Sequence, residues 1–265
     1  GEDGTARVWD IRTATGSSNG SNGSATTTST GAIKCQREFA AKYPICDAAL
    51  HPDQSELATV DERGVLRVWV LQGKECLFEV VPEAEAPLPI ALQSVAYSPD
   101  GNLIACCGAT GNVFVYARLG ITITPPDLAS SSSSSSSSSL SATTPRTSAY
   151  QLTHTFKAHN HYITRIAFTP DGLSLCTCSA DGTCRLFSVP HDTQPQTNSN
   201  YDLERTFSGH QRWVWDCAFS ADSAYVMTAG SDNTARLFER RSGDIVSVFT
   251  GHSKTITSIA LNDIP

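Results

Sequence analysis

ITRIAFTPDGLSLCTCSADGTCRLF, residues 163–187, reads as three short strands joined by two tight turns. In the first strand Ile163, Ile166 and Phe168 are the apolar set, and the gap between Ile163 and Ile166 predicts a bulge in a period-two pattern. TPDG supplies the Pro, Asp and Gly that a tight turn needs. The same plan recurs on both sides: ICDAALHPDQSELATVDERGVLRVW at 45–69, LQSVAYSPDGNLIACCGATGNVFVY at 92–116 and VWDCAFSADSAYVMTAGSDNTARLF at 214–238. The opening GEDGTARVWD matches the last third of this unit, and GHSKTITSIALND near the end matches its first part.

The third strands end on Trp9, Trp69, Tyr116, Phe187 and Phe238, at gaps of 60, 47, 71 and 51 residues. Setting aside low-complexity insertions at about 13–31, 120–149 and 191–200 brings three of these gaps to 41. With Gly-His before the unit and Trp-Asp after it, that period is the WD-repeat signature of four antiparallel strands per propeller blade. The expected fold class is all-β, a single incomplete WD-repeat β-propeller over 1–265. In a closed propeller the amino terminus completes the last repeat, yet GEDGTARVWD holds too little of a second strand to do so. Met227 is the single methionine and position 1 is Gly, so upstream sequence is expected to be missing.

Bulk properties narrow the function classes. A net charge of −7 argues against nucleic acid or an anionic membrane surface as partner. No run approaches the roughly 18 apolar residues of a membrane span and no signal-peptide pattern is present, so a cytoplasmic location without membrane insertion is expected. Nine cysteines, most of them in apolar strand-like runs (Cys46, Cys106, Cys107, Cys176, Cys178 and Cys217), include no C-x-x-C pair. They are expected to be buried reduced thiols acting as small hydrophobes, with no metal or cofactor.

His159, Ser179 and Asp181 in one repeat suggest a hydrolase. The next repeat keeps His210 and Asp232 but has Gly230 in place of the serine, and Thr110 stands at the Asp position of the repeat before. A nucleophile cannot be optional across near-identical units, and no strained elbow or oxyanion loop is recognisable. In WD repeats these residues form a hydrogen-bonded chain with the strand-end Trp, and we assign His159, Ser179, Asp181, His210 and Asp232 to that structural network. Phe187 and Phe238 lack an indole N–H, so two networks should be one bond short, worth about 1 kcal/mol each if the vacated acceptor stays dry. No phosphate loop motif occurs, and Glu83 and Glu85 lie in the Pro-rich VPEAEAPLP, which reads as a solvated loop.

All three insertions follow a third strand and are too rich in Ser, Thr and Gly to order themselves. On a blade that places them at one face, the bottom, and leaves the top free. Top-rim positions are the residue before the first strand's leading apolar residue, the bulge residue, and the residue before the turn Asp. In one repeat these are Trp213, Trp215 and Ser231; in the preceding one Tyr162 and Thr164 hold the first two. Trp is enriched where interfaces concentrate their energy, so Trp213, Trp215 and Tyr162 are the candidate partner-binding residues.

RWVWDCAFSADSAYVMTAGSDNTARLF, taken with GEDGTARVWD and KCQREF…HPDQSEL, resembles the G-protein-β-like WD-repeat subunit of the target-of-rapamycin (TOR) kinase complexes. The Trp-x-Trp of residues 213–215 is the most particular mark. The resemblance implies seven blades in the intact protein, about five of them represented here, and a non-catalytic scaffold in nutrient and growth signalling. It implies docking on the carboxy-terminal lobe of the TOR-type protein kinase, which it stabilises, alongside other TOR complex subunits. Trp213, Trp215 and Tyr162 would face the kinase. The departures are Phe187 and Phe238 for Trp, and the Ser-rich insertions. The alternative is a generic WD-repeat adaptor, such as a ubiquitin-ligase substrate receptor or a G-protein β-like protein.

Overall fold

The repeats form separate antiparallel sheets that pack face against face. The computed structural model describes residues 1–10, 34–73, 75–119, 149–190 and 200–262. It begins with a two-stranded sheet, β1 (Thr5–Asp10) and β2 (Lys34–Ala40). Four sheets of four strands follow. The first has β3 (Ile45–Leu50), β4 (Glu56–Asp61), β5 (Leu66–Val70) and β6 (Cys76–Val80). The second has β7 (Leu92–Tyr97), β8 (Leu103–Gly108), β9 (Asn112–Arg118) and β10 (Tyr150–Lys157). The third has β11 (Ile163–Phe168), β12 (Ser174–Ser179), β13 (Cys184–Ser188) and β14 (Leu203–Phe207). The last has β15 (Val214–Phe219), β16 (Tyr225–Gly230), β17 (Ala235–Glu239) and β18 (Ile245–Phe249).

The expected bulge is present in every full blade. Pairing of the first two strands shifts register at Ile45/Asp47, Leu92/Ser94, Ile163/Arg165 and Val214/Asp216. The extra residue lets apolar positions three apart, such as Ile163 and Ile166 or Val214 and Cys217, face the same core. Each turn between first and second strands needs a left-handed residue, met by Gln54, Gly101, Gly172 and Ser223. A Cβ at Gly101 would collide with the His51 ring, so that turn requires glycine twice over.

The insertions, except Ala149 and Asn200, lie outside the described residues; the second and third are flanked by β9/β10 and β13/β14, the third and fourth strands of their sheets, and the first by β1/β2, the two strands of the opening sheet. Ala149 itself is buried in the core beside Tyr150. The repeat-like start near the end forms no strand over residues 250–262. The segment still lies where a following blade's first strand would begin. Ser258 Oγ and the Ile259 amide donate to Asp216 Oδ2, as Ser94 Oγ and the Val95 amide donate to Asp47 Oδ2. It has the neighbouring blade's bonds without a second strand to pair with among the described residues.

The cores sit between blades. One joins Ala58, Val60 and Leu66 to Val95 and Tyr116; the next joins Cys107 and Val113 to Ile166 and Phe187; the third joins Cys176, Cys184 and Leu186 to Val214 and Phe238. Each buried Ile, Leu or Phe contributes about 1.5–3 kcal/mol, so packing between sheets holds the arc.

Candidate partner-binding surface

Tyr162, Trp213 and Trp215 come together. Tyr162 directly precedes β11 and Trp213 directly precedes β15, so they hold equivalent places in adjacent blades and their rings stack at 6.0 Å and 30°. Trp215 is the bulge residue of β15, and its ring lies 5.4 Å from that of Trp213. Trp213 is 44% exposed. Trp215 is half-buried, because its indole N–H donates to Ser231 Oγ at 2.6 Å. The Ser231 amide donates to the Trp213 carbonyl. The first three rim positions of this blade thus lock one another, leaving the outer Trp face in solvent. Burial pushes the Tyr162 phenol up and keeps it neutral.

Around the rings the surface is dished. A depression of about 460 Å³ is lined by Ala180, Asp181, Gln211, Arg212, Trp213 and Trp215. A second, of about 720 Å³, continues from Arg212 and Ser231 past Asn233 to Lys254 and Thr255. Arg212 therefore borders the aromatic floor beside Asp181, and Lys254 lines the adjoining depression with Asp232. Sequence reasoning missed both, since single surface cations carry no periodic signal. Glu62 shares the top rim in the β3–β6 sheet, where its amide bonds the Pro44 carbonyl.

The network residues support this rim from below. His159 Nδ1 is 2.8 Å from Asp181 Oδ2 and its Nε2 is 2.9 Å from Thr177 Oγ1. Ser179 does not meet the imidazole: its hydroxyl donates to the Tyr162 carbonyl at 3.0 Å and accepts from the Asp181 amide. The nucleophile-to-base contact that a hydrolase requires is not formed. Ser179 instead fixes the backbone that presents Tyr162. His210 repeats the pattern, with Asp232 at 3.0 Å and Thr228 at 2.8 Å. Gly230 replaces the serine there because a Cβ would press on the His210 ring at 2.5 Å.

Charges follow these contacts. Burial raises Asp232, but hydrogen bonds from His210, Thr234 and the Gln211 amide outweigh it and hold the carboxyl at about 2. Asp181 is likewise held well below the usual carboxylate range by His159 and Thr183 against the opposing effect of burial. Burial lowers His210, an effect larger than the pull of Asp232.

Two sequence expectations need correction. Glu83 does not sit in a freely solvated loop: its Oε1 accepts from Thr110 Oγ1 at 2.7 Å and Asn112 Nδ2 at 2.9 Å. It caps the turn in the blade where Thr110 stands at the Asp position. Cys46 is exposed rather than buried, because the bulge residue of β3 turns outward. The inner-strand position after each bulge also forms a polar group unseen in sequence. Arg165 reaches Asp47 at 3.0 Å and Asp216 at 3.3 Å, although the three belong to different blades.

Among the described residues no helix is long and apolar enough to cross a membrane. The family model for the WD domain, G-beta repeat, matches residues 90–116, 150–188 and 201–239. The chain is 35% identical to the target of rapamycin complex subunit wat1 of Schizosaccharomyces pombe, over 99% of this chain and 67% of that protein. It is 34% identical to the target of rapamycin complex subunit LST8 of Saccharomyces cerevisiae, over 99% of this chain and 69% of that one. Against the LST8 of Bos taurus it is 30% identical, over 99% and 67%.

Proposed function

The chain belongs to the family of WD-repeat subunits of target-of-rapamycin complexes, and from that premise we propose that it is a non-catalytic scaffold that binds and stabilises a TOR-type kinase domain through the Tyr162–Trp213–Trp215 rim. It acts in the cytoplasm, within complexes that hold further subunits and serve nutrient and growth signalling. The contact falls on the carboxy-terminal lobe of the kinase.

The observation that carries this reading is the run of three touching rings across two blades, with Trp213 44% exposed and Trp215 held by Ser231. A rigid aromatic pair loses little entropy on binding and offers a large apolar area, which is how interface energy becomes concentrated. Arg212 and Lys254 at the margin suit a partner with acidic residues around an apolar centre. Ser179, His159 and Asp181 make the internal bonds of a support, so the rim keeps its shape before the partner arrives.

The test is co-precipitation of the kinase with wild type and with the Trp213→Ala/Trp215→Ala double variant. A loss of about 2–4 kcal/mol, at least thirtyfold in affinity, is expected for two central aromatics. Unchanged kinase recovery by a folded double variant would remove the rim from the interface. Recovery of ubiquitin-ligase components by wild type would favour the adaptor reading.

A further inference from the structure

Four cysteines converge between the β11–β14 and β15–β18 sheets. Cys176 and Cys178 are two apart on β12 and so share a face. Cys184 on β13 is the cross-strand partner of Cys178, and Cys217 comes from β15 of the next blade. The Sγ atoms of Cys176, Cys178 and Cys217 lie within 4.8 Å of one another. Cys184 Sγ lies 2.9 Å from that of Cys176. All four are buried in one cluster with Leu186, Phe207 and Val214.

The other blade interfaces supply an internal comparison. Between the β3–β6 and β7–β10 sheets the equivalent positions are Ala58, Val60, Leu66 and Val95. Between β7–β10 and β11–β14 they are Ala105, Cys107, Val113 and Ile166. Aliphatic side chains fill the quartet in the first case and three of its four places in the second. Among these interfaces of the described residues only the third has sulfur at all four positions, with Cys176, Cys178 and Cys217 in mutual reach and Cys184 against Cys176. A cysteine used as a small hydrophobe accounts for one such position; it does not account for four converging ones.

We propose that Cys176, Cys178, Cys184 and Cys217 form a structural site for a thiophilic divalent cation of the zinc class. Four thiolates about 2.3 Å from a shared ion stand about 3.8 Å apart; Cys176, Cys178 and Cys217 lie within 4.8 Å of one another, and Cys184 reaches the group through Cys176 at 2.9 Å. Soft sulfur ligands select such ions, and four protein ligands leave no open position, so the site is structural. Binding displaces four thiol protons to solvent and moves no electron. Four thiolates around one divalent ion leave a net charge of about 2−. The ion would clamp β15, the strand that carries Trp215, to β12 and β13 across the blade boundary. The sequence concealed this set because a strand presents ligands as C-x-C, and the remaining two come from other strands.

The experiment is elemental analysis of the purified chain, with thermal melts in the presence and absence of a zinc chelator and absorption after cobalt(II) substitution. Expected are about one zinc per chain, a melting temperature that falls with chelator and recovers on adding zinc, and the charge-transfer bands of cobalt–thiolate. The variant Cys176→Ala/Cys178→Val/Cys184→Leu/Cys217→Val, which copies the quartet of the first interface, should hold no zinc and melt independently of chelator. Cys35→Ser, on an exposed residue, should keep the zinc. Wild type that carries no metal, melts identically with chelator and gives no cobalt–thiolate bands overturns the proposal, as does a mass showing a disulfide within the quartet. These wild-type readings decide the matter even if the quadruple variant fails to fold.

Discussion

The β3–β6 and β15–β18 sheets tie the same turn to the same strand with different chemistry. In β3–β6 the Thr59 hydroxyl accepts the Trp69 indole N–H at 2.9 Å, and the Asp61 carboxylate takes Arg67 at 2.6 Å. In β15–β18 the equivalent Thr228 meets His210 Nε2 at 2.8 Å, Asp232 takes His210 Nδ1 at 3.0 Å, and Phe238 replaces the tryptophan. The β7–β10 sheet completes the comparison: Cys106 stands where the threonine was, and neither His nor indole reaches it. Polar group and partner are gained and lost together, as the cost of an unpaired buried group requires. What the repeat preserves is a satisfied position, whichever donor fills it.

The comparison can be broken most forcefully at Arg67. Asp61 is 1% exposed, and its remaining bonds come from the Arg63 and Val65 amides. Arg67→Met strands that carboxylate, and a loss of about 3 kcal/mol is expected, seen as a lower urea midpoint at unchanged slope. A smaller change sharpens it. Trp69→Phe turns the β3–β6 strand end into that of β15–β18 but brings no histidine to Thr59, so it should cost about 1 kcal/mol for the bond alone. No loss in the urea midpoint would mean that the indole bond is redundant.

The least effect, and the most discriminating, is that of pH. His210 is depressed in the folded state, by burial first, so its contribution is complete above the unfolded value near 6.5 and is lost as pH falls through the folded one. Asp232, at about 2 against 3.8, adds a second loss between about pH 4 and 2. Arg67 stays charged throughout. Amide exchange on β16 should therefore quicken between pH 7.5 and 5.5, once corrected for intrinsic rates, while β4 stays protected. Equal acceleration in both strands would contradict the assignment.

Much of the fold was legible because its signals are local. The gap from Ile163 to Ile166 announced the bulge, TPDG and SPDG announced the turns, and a period of 41 announced the blade. The rim was legible for the same reason, since bulge and pre-strand positions are set by spacing, and Trp213 and Trp215 occupy both. Spacing could not say that Trp215 would be half-buried against Ser231 while Trp213 stayed open, because that depends on ring orientation. Nor could composition say that Glu83 would reach back to Thr110, 27 residues away.

By itself the sequence determined the repeat, the strand order within each blade, the bulges, the places of the insertions and which aromatics reach the rim. Tertiary structure alone decided what meets across blades: Tyr162 on Trp213, Arg165 between Asp47 and Asp216, and four sulfurs in one core. The physical reason is a difference of range. Turn and strand preferences are carried by neighbouring residues, whereas contacts between blades depend on how twisted sheets stack, and no period in the chain encodes that angle.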